Sequence, residues 1–460
     1  MIKTSHDQVT RRCFLSSVSS IAAAAAFLPR HTVAGSGQLT PGEKLRLAFI
    51  GAGGRGRHNL RGLAGLGHEV VALCDVDAER AQESFAQFSR AKRFVDYRKM
   101  LDAVENDVDG VVVSTPDHTH AVAAMDAICR GKHVYCEKPL AHSIAEVRAL
   151  RRTAAENGVI TQLGNQGHSF EHIRLFCEWI WDEAIGDVHT IHALRPSDYS
   201  RIDELASLDE RPPVPERLDW DLWLGPAAER AYHPNFLPGS WRGWMPFGTG
   251  VIGDWTCHVV DPVFWALDLG TPTSVMAKVD RYDLAKHALT FPHGTHVTYE
   301  FAARDDRGPV SLHWYDGSLA PPALDDFDWS EFPRNTCGLV LGTEGAIRYS
   351  SHGARGVRIM PEEKMLAYQR PEPTIPRVAG HHEDWVEAVK QGRPAGSNFD
   401  YGGPLTELAL LGIIATRLPG IKLTWDGAAA RFTDSEEANE LLEFNPRQGW
   451  GLAQSGQQGV

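Results

Sequence analysis

Short apolar runs alternate with stretches of helical spacing through the first third of the chain. Leu45-Arg46-Leu47-Ala48-Phe49-Ile50 predicts a strand that ends at Gly51-Ala52-Gly53-Gly54-Arg55-Gly56, after which Leu60, Leu63 and Leu66 recur at the interval of a helix face. A second strand, Glu69–Cys74, delivers Asp75. Gly110-Val111-Val112-Val113-Ser114-Thr115 reads as a buried strand broken by Pro116, and Ala121–Cys129 as a helix ended by Gly131. His133–Cys136 runs into Glu137-Lys138-Pro139. Ser143 and Glu146 then form a capping box for a helix reaching Asn157-Gly158, and Val159–Leu163 is a further strand. This alternation predicts an α/β fold with an N-terminal Rossmann-type, doubly wound parallel sheet. Ligands of such sheets lie beyond the carboxyl ends of the strands, which aligns Gly51, Asp75, Pro116, Lys138 and Gly164 along one working edge.

After Gly164-Asn165-Gln166-Gly167-His168 the rhythm stops and Trp179, Trp181, Trp220, Trp223, Trp241 and Trp244 follow. Val297–Phe301 alternates with period two, Ser311–Tyr315 is another strand, and Gly338–Gly342 with Ala346–Tyr349 reads as a hairpin around Thr343-Glu344-Gly345. The expectation is a C-terminal α/β domain with an open antiparallel sheet. The chain divides accordingly into residues 1–36, an export signal and linker; 44–165, the nucleotide domain; 166–425, the substrate domain; and 426–460, a C-terminal extension.

Three features carry chemistry. The glycines Gly51, Gly53, Gly54 and Gly56, with Arg55 among them, let a backbone turn approach a pyrophosphate at a helix start. Asp75 at the end of the second strand suits a pair of ribose hydroxyls and repels a 2′-phosphate, favouring NAD over NADP. Lys138 stands at the mouth of the same crevice, placed to stabilise a developing alkoxide. In the mostly apolar stretch Gly250–Asp261, the polar residues Asp254, His258 and Asp261 share a face if the segment is helical, so a carboxylate could orient the imidazole as a general base. Pro262 is expected to kink or end that helix. The bland alternative for His258 is a core histidine satisfied by a helical neighbour.

Composition narrows the function. With 46 Lys plus Arg against 59 Asp plus Glu the net charge is −13, which argues against nucleic acid and anionic lipid as partners. The apolar run Ile21–Leu28 is too short to span a bilayer. It follows Arg11-Arg12-Cys13-Phe14-Leu15 and precedes Thr32-Val33-Ala34, the order of an export signal of the twin-arginine kind, so a periplasmic or otherwise exported protein is expected. Such a protein meets no pool of free dinucleotide, and its cofactor must travel inside. Cys74, Cys129, Cys136, Cys177, Cys257 and Cys337 contain no C-x-x-C pair and read as apolar thiols. The histidines at 118, 120, 168, 172, 381 and 382 show no recurrent ligand spacing, and no metal is expected.

Taken together, the Gly-rich turn with Asp75, Ser114-Thr115-Pro116-Asp117-His118-Thr119-His120, Glu137-Lys138-Pro139 and Asp254-x-x-x-His258 resemble the Gfo/Idh/MocA oxidoreductases over about residues 44–425. Gly164–His168 and Trp220-Asp221-Leu222-Trp223-Leu224-Gly225-Pro226 are similar to the exported bacterial subgroup. The resemblance implies Lys138 as the catalytic lysine, His258 as acid/base, and Asp254 as its partner or a substrate ligand. It places Thr115, Pro116, His120 and Glu137 beside the nicotinamide, and Asn165, His168 and Trp241 are assigned to the substrate. The implied reaction is hydride transfer between a sugar or polyol hydroxyl carbon and a tightly held NAD(P). The rival is a redox-assisted glycosidase or epimerase using NAD catalytically; a non-catalytic sugar or NAD binding module is disfavoured by Lys138 and His258 together. The partner is a small sugar or glycoside, and a homo-oligomer stays open.

Overall fold

The computed structural model describes residues 42–453 except 306, 325–326 and 332–335. The export segment falls outside the described residues. Six parallel strands form the first sheet: β1 (Arg46–Ile50), β2 (Glu69–Cys74), β3 (Lys92–Phe94), β4 (Gly110–Val113), β5 (His133–Cys136) and β6 (Thr161–Leu163), in the order β3-β2-β1-β4-β5-β6. The order reverses beside β1, the point at which open α/β sheets bind ligands. β4 is buried along its whole length, as helices on both faces require. Two details differ from the sequence reading. The short β3 lacks an apolar run and escaped notice, and the helix after Pro116 spans Asp117–Cys129, four residues earlier than its apolar repeat. Its first turn is polar yet buried, because the second half of the chain covers it.

The second sheet comprises β7 (Val188–Arg195), β8 (Ser274–Asp280), β9 (Gly294–Phe301), β10 (Val310–Gly317), β11 (Cys337–Gly342), β12 (Gly345–Ser350), β13 (Arg355–Met360), β14 (Leu423–Asp426) and β15 (Arg431–Phe432). Its order is β13-β12-β11-β7-β10-β9-β8-β14-β15. The β11–β12 hairpin pairs Gly342 with Gly345 as the pattern indicated. The sheet is not wholly antiparallel: β7 and β10 run parallel. A parallel pair needs a crossover, and residues 196–309, with their helices and β8 and β9, supply it.

Two helices bind the layers together. Phe399–Arg417 is almost entirely buried between the helix Gly250–Val259 and β8, and also packs on the helix Ile144–Asn157. Inside the stretch 166–425, the helix His381–Gln391 returns to the first sheet, where Trp385 joins Leu45, Leu47 and Phe49 in one apolar cluster. Among the described residues no helix is long and apolar enough to cross a membrane.

Candidate active site

The glycine turn is built by steric need. Gly51 has φ +84°, and a Cβ there would lie 2.6 Å from the Ser114 carbonyl oxygen. A Cβ on Gly56 would lie 1.7 Å from the Gly51 oxygen, so the helix Gly54–Gly65 can start against β1 only with glycine at that position. That helix has no side-chain cap, which leaves its first amides for an anion. Gly51, Gly53, Arg55, Asp75, Thr115 and Pro116 line one crevice. Gly54, in the left-handed region at φ +51°, and Gly56 shape it from behind. Arg80, which sequence reasoning missed, lies against Gly53 and Gly54 on the crevice wall.

Asp75 does more than face the crevice. Its carboxylate accepts from the amides of Ala52 (2.9 Å), Gly53 (3.0 Å) and Asp77 (3.0 Å), so it also braces the turn. Burial raises its pKa against the lowering effect of those donors. Thr115 Oγ1 is buried without a hydrogen-bond partner, as expected of a crevice shaped for a polar ligand. The residues present therefore fit an NAD-type dinucleotide.

The crevice opens across Thr115 and Trp241 into a second cleft, lined also by Lys138, Tyr199, Arg242, Asp254 and His258. Lys138 Nζ donates to Asp254 Oδ1 at 2.5 Å and to its backbone oxygen at 3.1 Å. Tyr199 donates its hydroxyl to Asp254 Oδ2 at 2.9 Å, and Arg242 Nε to Oδ1 at 3.2 Å. Burial opposes ionisation of Asp254, but the adjoining Lys138 and Arg242 charges outweigh it and hold the group well below the usual carboxylate range. Burial, reinforced by the Asp254 charge, pushes the Tyr199 phenol up to about 12.

Here a sequence expectation is corrected. Asp254 does not orient the His258 imidazole; its carboxylate is taken by Lys138, Tyr199 and Arg242. His258 instead stacks on His352, ring centroids 4.0 Å apart and planes 20° from parallel, and its Nδ1 is buried without a partner. His352 is carried by the loop after β12, where its N–H donates to the His258 carbonyl at 3.0 Å. Burial, then the Lys138 charge and His352, push the His258 pKa well below its ordinary value, which keeps the ring neutral near pH 7. Asp261 also leaves the supposed common face. The helix ends at Val259 and restarts at Asp261 with Pro262 in its first turn.

Three further assignments are corrected. Asn165 and His168 are buried behind the cleft: His168 Nδ1 lies 3.0 Å from Asp261 Oδ1, and Asn165 is held between Asp261 and Ser397. Of that motif, Gln166 is the residue that lines the cleft. His120 is buried with its ring nitrogens at 2.7 Å from the Pro139 oxygen and 2.9 Å from the Thr115 oxygen, bracing the two strand ends. Trp241 does line the cleft, with the Arg242 guanidinium 4.2 Å from its ring centroid. Glu137 accepts from Arg55 Nε (2.9 Å) and Asn59 (2.8 Å) and forms part of the wall. Tyr199, Arg201, Arg242 and His352 gave no sequence signal, because each is isolated in a loop or short turn. Among the described residues no cluster of three or more His, Cys, Asp or Glu side chains is arranged for a metal, and Cys74, Cys136, Cys177 and Cys257 are buried free thiols.

Residues 45–165 match the NAD-binding Rossmann fold of the oxidoreductase family Gfo/Idh/MocA, and residues 205–304 match that family's C-terminal alpha/beta domain. Both halves of the chain thus match models of the Gfo/Idh/MocA family. It is 33% identical over 137 residues to 4-carboxy-2-hydroxymuconate-6-semialdehyde dehydrogenase of Sphingobium, covering 28% of this chain and 43% of that protein. To inositol 2-dehydrogenase of Salmonella typhimurium it is 35% identical over 117 residues, 25% of this chain and 34% of the relative. The matches thus span under half the length of either relative. In fold it is similar to the WlbA dehydrogenase of Bordetella pertussis, solved with NADH and UDP-GlcNAcA, at a TM-score of 0.56 and 19% identity over 84% of this chain and 99% of that one. The family's Rossmann half holds the crevice, and the cleft lies between that half and the C-terminal sheet domain.

Proposed function

We propose that the protein is an NAD(P)-dependent oxidoreductase that interconverts a hydroxyl and a carbonyl on a sugar or polyol. The observation that carries this reading is the convergence of Lys138, from the end of β5, and His258, from the helix Gly250–Val259, on one cleft continuous with the dinucleotide crevice. The inositol-named relative and the nucleotide-sugar complex support a hydroxyl-rich substrate. When bound, NAD supplies the two-electron acceptor or donor. The chain's own residues manage the proton. Neutral His258 takes the hydroxyl proton during oxidation, while Lys138, held by Asp254, donates to the substrate oxygen and stabilises its developing charge. Trp241 offers an apolar face to a sugar ring, and Gln166 and Arg201 offer polar contacts. NAD is favoured over NADP because the Asp75 carboxylate disfavours a 2′-phosphate.

The redox-neutral alternative needs a second base, for the C–H adjacent to the transient ketone. His352 is a second imidazole in the cleft, which burial pushes down to about 4. The test is to incubate the purified protein with labelled sugars and glycosides, with and without added NAD. Absorbance growth at the reduced-nicotinamide band on free sugars supports the oxidoreductase; glycosidic cleavage without added NAD supports the alternative; neither, with all substrates, defeats both. The export reading of residues 1–36 predicts recovery in the periplasmic fraction, and a cytoplasmic location would overturn it.

A further inference from the structure

The dinucleotide crevice has a wall that belongs to neither matched domain. Trp450, 7% exposed, lines it together with Asp75 and with Val95, Asp96 and Tyr97, the residues that follow β3, and its ring centroid lies 6.4 Å from that of Tyr97. The C-terminal segment carrying Trp450 is anchored on the Asp221–Pro226 segment by Arg447. Its Nε donates to the Gly225 oxygen at 2.6 Å, its Nη2 to the Asp221 oxygen at 2.6 Å, its Nη1 to Asp221 Oδ1 at 2.5 Å, and its amide to the Pro226 oxygen at 3.0 Å. The Arg98 guanidinium lies 4.2 Å and the Arg447 guanidinium 5.6 Å from the Trp450 ring centroid, and Arg98 is itself held by Asp96 at 2.8 Å. The indole is therefore fixed between a cation of the Rossmann domain and a strap anchored on the Asp221–Pro226 segment.

We propose that Trp450 and Arg447 complete the subsite for the adenosine half of the dinucleotide, so that the C-terminal strap sets how firmly the cofactor is retained. The inference rests on the dinucleotide reading above. Its physical basis is position and chemistry. Asp75 marks the ribose, so the base lies beyond it, against the residues after β3. An indole there, with the Arg98 and Arg447 guanidinium groups over its ring, supplies a large apolar wall flanked by positive charge against which a base can pack. A wall of this kind restrains the adenosine half and leaves the nicotinamide end to the cleft.

The test is titration calorimetry of full-length protein, stripped of nucleotide, with ADP-ribose and with nicotinamide mononucleotide. It is done for the wild type, Trp450→Ala, Trp450→Phe and Arg447→Ala, with the ligand-free thermal midpoint as the check on folding. Trp450→Ala is expected to weaken ADP-ribose about tenfold or more and to leave nicotinamide mononucleotide unchanged, with Trp450→Phe recovering most of the affinity. NADH pre-loaded into Arg447→Ala should dissociate faster, read by its fluorescence. Equal ADP-ribose affinity in the wild type and both alanine variants would overturn the proposal, as would equal weakening of both ligands. Absence of ADP-ribose binding in the wild type would defeat the dinucleotide reading itself, a separate outcome.

Discussion

Asp254 is the residue on which the cleft's electrostatics turn. One buried carboxylate accepts from an ammonium, a guanidinium and a phenol, so removing its charge strands two cations beside each other. Breaking a buried pair from one side costs about 3–5 kcal/mol. Asp254→Asn should lose that much stability in urea unfolding and should also lower kcat, because Lys138 is no longer aimed at the substrate oxygen. Lys138→Ala and His258→Asn remove the groups that act on the reacting oxygen and its proton. Each is expected to lower kcat by a factor of about 10²–10⁴ with NAD affinity intact, which separates catalysis from cofactor binding. Were either variant to turn over at the wild-type rate, the assignment would fail. Both residues were legible in the sequence through their motifs. Their partners were not: the i, i+4 spacing suggested that Asp254 serves His258, whereas the fold brings Lys138 from a strand end far away in sequence to claim it.

At the scale of elements, local chemistry was enough wherever a helix or strand announced its own ends. The Ser143 and Glu146 capping box forms as read, with Glu146 accepting from the Ser143 amide at 3.0 Å and its own amide donating to Ser143 Oγ at 3.3 Å. Gly158 closes the helix in the left-handed conformation, φ +62°. Ser143→Ala should cost about 1 kcal/mol, read from the urea midpoint. The break between Val259 and Asp261 was only half legible: Pro262 signalled it, but the turn of Asp261 away from the cleft depends on His168, Asn165 and Tyr401, which no spacing rule connects. The parallel pairing of β7 with β10 was likewise hidden, because period-two alternation reports which face is buried and says nothing of the neighbour's direction.

For the whole molecule, the many buried histidines govern the response to acid. Burial pushes His118 and His381 down to about 3 and His133, His192, His296, His352 and His382 down to about 4. Below pH 6.5 the unfolded chain binds protons at these sites and the native state does not, so stability falls with falling pH from about 6.5 towards 4. Two buried carboxyl groups, Glu146 and Asp316, are pushed up to about 7 and act in the opposite sense over part of that window, but they are fewer. Thermal midpoints are therefore expected to fall steadily between pH 7 and 4, with the decline starting above the range where ordinary carboxylates titrate. A flat profile down to pH 5 would contradict the buried, neutral histidines.

The sequence by itself determined the Rossmann half, the glycine turn, Asp75 and the two residues proposed to act on the substrate, because each of these rests on spacing within a short window and on the steric or charge properties of single residue types. Only the tertiary structure decided which carboxylate serves which base, that Asn165, His168 and His120 brace the site from behind, that Tyr199, Arg242 and His352 belong to the cleft, and that Trp450 closes the nucleotide crevice. Those relations join residues brought together by packing two sheets and a returning C-terminal segment, and such contacts leave no periodic trace along the chain.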